Sequence, residues 1–246
     1  RPGVRYGALG LPLAFVALPL YIVLPDHYAR EFGIPLATLG AVLLGARAFD
    51  AVADPLIGRA ADRLLAGGAR RAWWAIAMAA LVLAIGFAAL FFPPVEDRSA
   101  LLVWCALALA VTYLGYSGVS VIHQSWGARL GGDAPQRARI VAWREGLALA
   151  GVLVASVLPS VAGLAVTVGV LAALLFFAVL CLRTAPQPAA SAVVAAHVPM
   201  LLPFSTPAFR RLLAVYLVNG IASAVPATLV LFFIRDRLQA PAYEPL

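Results

Sequence analysis

Apolar residues gather into runs, and polar residues collect between them. Seven runs stand out, at about 6–24, 36–57, 72–92, 100–126, 140–158, 163–182 and 209–234. Each approaches or exceeds the roughly 20 residues that a helix needs to cross a bilayer. The pattern predicts seven transmembrane helices. Pro12 and Pro19 interrupt the first run, and prolines inside such helices mark bends. The longest break falls between Arg183 and Arg210 and contains the segment PQPAAS. It predicts a division after a completed six-helix unit. The expected organisation is a bundle over 1–184, a cytoplasmic linker over 185–208, and the first helix of a second bundle over 209–246. The chain opens on Arg1 and stops soon after the seventh run. The expectation is a piece of a longer protein, with no signal peptide at its start.

Charge orients these helices. With the N-terminus inside, Arg1, Arg5, Arg59, Arg63, Arg70, Arg71, Arg129, Arg137, Arg139, Arg144, Arg183, Arg210 and Arg211 fall on the inner side. Arg30, Arg98, Arg235 and Arg237 fall outside. That asymmetry predicts a cytoplasmic N-terminus. Composition agrees with a membrane protein: 12% of residues are charged, against about 25% in a soluble domain. The net charge of +7 is spread between apolar spans rather than clustered on one soluble face, so a nucleic-acid partner is not expected. Cys105 and Cys181 lie inside apolar runs and read as helix-packing residues.

The second span breaks the apolar pattern with RAFDAVADPLIG. Arg47, Asp50 and Asp54 follow one another at three- and four-residue steps, so they share one helix face. At about 1.5 Å per residue, Asp50 lies roughly 5 Å and Asp54 roughly 10 Å past Arg47. A charge at mid-membrane costs about 2.5–3.5 kcal/mol, so the stripe must face an interior or a cavity. Two readings stay open. In one, Arg47 and Asp50 simply pair, with Asp54 at the water interface. In the other, the surplus carboxylate makes a cation site: two oxygen ligands suit Na⁺, and a carboxylate out of water suits a proton. Pro55 removes a backbone donor next to Asp54 and frees a carbonyl there.

Other polar positions are softer. Tyr113, Tyr116 or Ser117, Ser120 and Gln124 form a stripe on the fourth span, suited to a hydroxylated or ring-shaped substrate or to interhelical hydrogen bonding. His123 reads as an interfacial residue and Trp126 as an interfacial anchor. Arg144 and Glu145 are adjacent, which predicts different faces and no pairing between them. Arg144 is expected to face the cavity of Asp54, the alternative being that it snorkels to the cytoplasmic surface. Tyr216, Asn219 and Ser223 make a weaker stripe on the seventh span. Gly58, Asp62 and Arg63, with Arg70 and Arg71 beyond, lie in the predicted inner loop.

Together, the YG of the first span, RxxDxxxDPxxG in the second, WRE in the fifth and PAFRRLL before the seventh resemble the glycoside–pentoside–hexuronide:cation symporters of the major facilitator superfamily. The resemblance implies an all-α membrane fold of twelve helices in two six-helix halves that work by alternating access, with this chain supplying the N-terminal half and one helix more. It implies that Asp50 and Asp54 bind the coupling cation, that Arg144 contacts substrate, and that Gly58, Asp62 and Arg63 belong to an inner gating loop. The family's first-span acid would fall near Leu11 to Leu13 and its fourth-span acid near Ser120 to Ile122, where this chain has neither. That departure favours a proton as coupling ion, or a less polar substrate.

The reading is a symporter of a small solute such as a sugar or glycoside, in a bacterial inner membrane, coupled to H⁺ or Na⁺ and without a cofactor. Arg47 would tune the two carboxylates, and Arg144, Tyr113, Tyr116 and Gln124 would line the substrate path. Its expected partners are the small-molecule substrate, the bilayer and the remaining half of the polypeptide. An efflux antiporter of the same fold is the rival. A structural membrane protein has little need of the stripe. An intramembrane enzyme would have to rest on His123 with Ser120 or Ser125, without HExxH or GxSxG.

Overall fold

A computed structural model describes residues 2–188 and 202–232. The described residues are almost wholly helical, and the chain divides into two units, Arg1–Val194 and Ala195–Leu246. Arg1, Arg235, Arg237, the last residues of the seventh span and most of the expected linker lie outside the described residues.

The first unit begins with a broken span. Helix α1 (Pro2–Gly7) gives way to a turn, α2 (Gly10–Leu18) follows, and a π-helical turn over Pro19–Val23 leads into α3 (Leu24–Phe32). Pro19 opens the π turn, as its missing N–H suggests. The effect of Pro12 appears one turn upstream. A proline cannot donate to the carbonyl four residues back and its ring crowds that carbonyl. Here that is Ala8, whose carbonyl instead accepts from the Leu11 N–H at 3.3 Å. Gly33 ends α3 in the left-handed conformation.

Helix α4 (Leu36–Ala66) is continuous through Pro55 and passes about two and a half turns beyond the expected end of the second span. Gly58, Asp62 and Arg63 are therefore helical, and the loop shrinks to Gly67 and Gly68. Burial explains the difference: Ala61 and Leu65, four residues apart, are both buried and extend the packed face. Helix α5 (Ala69–Phe91) returns, and α6 (Arg98–Ala128) starts at an Asp97 cap. Helix α6 packs against both α4 and α5. A Cβ at Gly86 of α5 would lie 2.8 Å from the Thr112 backbone nitrogen, so glycine sets that close approach.

Helix α7 (Ala134–Arg183) holds the fifth and sixth runs as two helical segments that meet at a kink. Gly163 breaks it, at φ 81° and ψ 172°, where the sequence placed a boundary. Helix α7 packs on α1, α2 and α5. Among the described residues, five stretches are long and apolar enough to cross a membrane: Gly3–Phe32, Leu36–Ala66, Ala69–Phe91, Arg98–Ala128 and Ala134–Arg183. In the second unit, α8 (Leu202–Ser205) precedes α9 (Pro207–Phe232). Helix α9 carries Tyr216, which is exposed, and Asn219; the side chain of Ser223 lies outside the described residues.

Candidate functional site

The charged stripe of α4 faces inward. Ala46 and Ala53 beside it are buried, whereas Phe49, Val52 and Leu56 are exposed. Asp50 is only 8% exposed. Its Oδ2 accepts from Arg47 Nη1 at 3.4 Å, and its Oδ1 accepts from the Ser117 hydroxyl of α6 at 2.8 Å. A charge-assisted N–H···O bond normally measures about 2.7–2.9 Å. The Arg47 pair is thus loose, and Ser117 makes the tighter bond. Arg47, whose side chain is 40% exposed, lies between two aromatic faces. Its guanidinium carbon is 4.7 Å from the Tyr21 ring centre and 4.6 Å from that of Tyr113, both within cation–π range.

One turn further along α4, Asp54 is half-buried. Its Oδ1 is sealed from solvent and has no hydrogen-bond partner, and the same is true of the Tyr113 hydroxyl. Buried polar atoms almost always have partners, so two oxygens here have unused capacity. Tyr116 lies within electrostatic reach of Arg47, Asp50 and Asp54. The arrangement gathers oxygen ligands around a stripe with two carboxylates and one guanidinium. Among the described residues, no group of three or more His, Cys, Asp or Glu forms a metal-ligand cluster. Oxygen ligands suit a hard cation or a proton.

Arg144 belongs to a second cluster. Its Nε and Nη2 both donate to Glu145 Oε1, at 3.0 and 2.5 Å. The adjacent residues therefore pair, contrary to the helical-face expectation. The arginine chain is long enough to bring two donors to one oxygen of its neighbour. Arg144 also lies within electrostatic reach of Tyr6. Among the described residues, its ion pair is with Glu145 and not with Asp50 or Asp54.

Beside it, His123 is fully buried rather than interfacial. Its ring stacks on Tyr6 at 4.3 Å. The Tyr6 hydroxyl donates to the His123 carbonyl at 3.0 Å, and His123 Nε2 lies 2.9 Å from the Tyr6 carbonyl. A carbonyl only accepts, so Nε2 carries the proton. Trp126, also buried, donates to the Pro186 carbonyl at 3.0 Å.

Gln124 joins neither cluster. It is exposed and donates to Ser120 at 2.9 Å. Asp62 pairs with Arg129 at the end of α6, at 2.7 Å. Gly58 has open space where a Cβ would stand, and Arg63 is exposed. Sequence reasoning missed Tyr21 and the Tyr6–His123 pair. The available signal was an aromatic hydroxyl inside an apolar span, which says little until its partner helix is known.

The family described as MFS/sugar transport protein matches residues 3–243. The chain is similar to the inner membrane symporter YicJ of Escherichia coli (strain K12), 29% identical over 157 residues, which is 63% of this chain and 33% of that protein. It is also similar to the uncharacterized symporter YjmB of Bacillus subtilis (strain 168), 26% identical over 153 residues, 62% of this chain and 33% of that one. The matched part thus spans 33% of the length of each curated relative.

Proposed function

The chain belongs to the MFS/sugar transport protein family and is an all-α, multi-pass membrane protein; from that premise we propose that it serves a cation-coupled secondary transporter. The cargo is a small solute, a sugar or glycoside, moved by alternating access and driven by H⁺ or Na⁺. Asp50 and Asp54 hold the coupling ion, and Arg47 tunes them. Tyr113, Tyr116 and Arg144 line the solute path, with Gln124 at its edge. The membrane is a bacterial inner membrane with the N-terminus in the cytoplasm.

One observation carries this reading: the buried, unpartnered Oδ1 of Asp54, one turn from a buried Asp50 that is already held by Arg47 and Ser117. A simple ion pair would need only Asp50. The formal charge of Arg47, Asp50 and Asp54 is −1, and one monovalent cation brings it to zero. A neutral stripe tolerates closure of the surrounding helices far better than a charged one, because uncompensated charge is expensive away from water. Ion loading and conformational change become linked through that difference.

The test is uptake by the full-length protein in vesicles, with a panel of glycosides and small organic acids under imposed H⁺ and Na⁺ gradients. Asp50→Asn and Asp54→Asn are expected to abolish accumulation while leaving membrane insertion intact. Accumulation at the wild-type rate by both variants would sink the coupling assignment.

A further inference from the structure

A cavity of about 350 Å³ lies beside the turn between α6 and α7. It adjoins the second cluster at Pro186 but is lined by none of Tyr6, His123 or Arg144. Four of its lining residues, Gln136, Arg139, Ile140 and Trp143, follow one another at helical spacing along a single face of α7. The polar pair stands nearest the helix N-terminus and the apolar pair lies deeper. Leu130, Pro186 and Gly3 complete the wall. The Trp143 indole rests on Gly3, where a Cβ would lie 2.7 Å from its Cδ1, yet Trp143 remains 36% exposed.

Charge in this slot is one-sided. No carboxylate lines it. Arg139 is exposed and makes no ion pair among the described residues. The nearby acids are engaged: Asp133 caps α7 by accepting from the Gln136 N–H at 2.9 Å, and Glu145 holds Arg144. Arg5 adds a second positive charge near the rim, donating to the Thr184 carbonyl at 3.1 Å, two residues before Pro186.

We propose that this slot binds an anionic phospholipid. The phosphate sits on Arg139 and Gln136, at the positive end of a long helix. The glycerol and first methylenes run along Ile140, Leu130 and the Trp143 ring. A largely apolar wall with one free guanidinium at its mouth suits an amphiphile better than a free anion. A partly open tryptophan is a typical residue of the membrane–water interface, and basic pockets between helices at that level take acidic head groups. The volume lies at the low end of ligand sites, about 300–1,000 Å³, and fits a head group with the start of its chains. This inference does not depend on the transport reading.

Bromine-labelled lipids test it through tryptophan fluorescence. The full-length protein is reconstituted in phosphatidylcholine vesicles that contain brominated phosphatidylglycerol or, at the same mole fraction, brominated phosphatidylcholine. The wild type should show a preference of about fivefold for the brominated phosphatidylglycerol, the size expected for one arginine at a lipid head group. Arg139→Gln should erase that preference, and Trp143→Phe should remove the part of the quenching that distinguishes the two lipids, leaving the lipid-independent quenching of other tryptophans such as the exposed Trp74. Arg139 is exposed and unpaired, so the first variant keeps its fold, which circular dichroism verifies. Equal quenching by the two lipids, or an unchanged preference in Arg139→Gln, overturns the proposal. Displacement of the effect by inorganic phosphate also overturns it, because the slot would then be reading a free anion.

Discussion

Gly7→Ala adds one methyl group where two helices already touch. A Cβ at Gly7 would lie 2.9 Å from the Arg144 backbone nitrogen, 2.9 Å from the Trp143 carbonyl carbon and 3.1 Å from the Trp143 carbonyl oxygen. All three are backbone atoms of α7, so no side chain can rotate away, and the helices must separate. Overpacking of this kind typically costs about 1–3 kcal/mol. Alanine recovers at most about 1 kcal/mol of helix propensity, and less here because Gly7 ends α1. The net loss of about 1–2 kcal/mol is roughly a 5–30-fold shift in the folding equilibrium. Gly146→Ala is the control. It lies inside α7 with nothing within 4 Å of the added methyl, so it should gain about 1 kcal/mol. Unfolding of both variants and the wild type in detergent, followed by circular dichroism, gives the order directly. The reasoning fails if Gly7→Ala proves as stable as Gly146→Ala. The same displacement should move Arg144, since the atoms struck are its own backbone and that of its neighbour.

Ser117→Ala should lower stability by about 1.5–3 kcal/mol, the usual value of a hydrogen bond to a charged group. In a double-mutant cycle with Asp50→Asn the two losses should be far from additive, and a coupling energy near zero would deny the bond. Asp97 gives a pH signature. The Ser99 hydroxyl, then the Ala100 N–H, hold its carboxyl below the ordinary range. A lowered folded value means a stabilising contribution that is present above the unfolded carboxylate range and lost as pH falls through the folded one. The melting temperatures of wild type and Asp97→Ala should therefore differ near neutrality and converge in acid; a gap independent of pH would contradict the cap.

The membrane-spanning helices were legible as apolar runs because bilayer thickness imposes a length on every span. The stripe of α4 was legible because three charges in an apolar run have few places to go. Contacts between helices were another matter. Spacing put Tyr113 and Ser117 on one face, but only the packing of α6 on α4 shows that Ser117, not Tyr116, bonds Asp50. Arg144 and Glu145 illustrate the limit of facial reasoning. The angle between neighbouring Cβ atoms predicts separation, and a side chain as long as arginine's overcomes it. The extent of α4 was hidden for a related reason. Arginines at 59 and 63 mark where the apolar run ends, whereas the helix continues as long as Ala61 and Leu65 find something to cover.

The reciprocal bonds between Tyr6 and His123 bear on how the first span comes by its shape. The Tyr6 carbonyl lies next to the break in the helix and accepts from a ring that belongs to α6. In a bilayer such a carbonyl has no water to turn to. The bend is therefore written partly in another helix: straightening the first span by replacing its prolines would leave His123 without an acceptor, and replacing His123 would remove a rung that the first span cannot supply for itself. Its curvature is set jointly by its own prolines and by this neighbour, and a graft of the span onto a different bundle would lose the rung that His123 supplies.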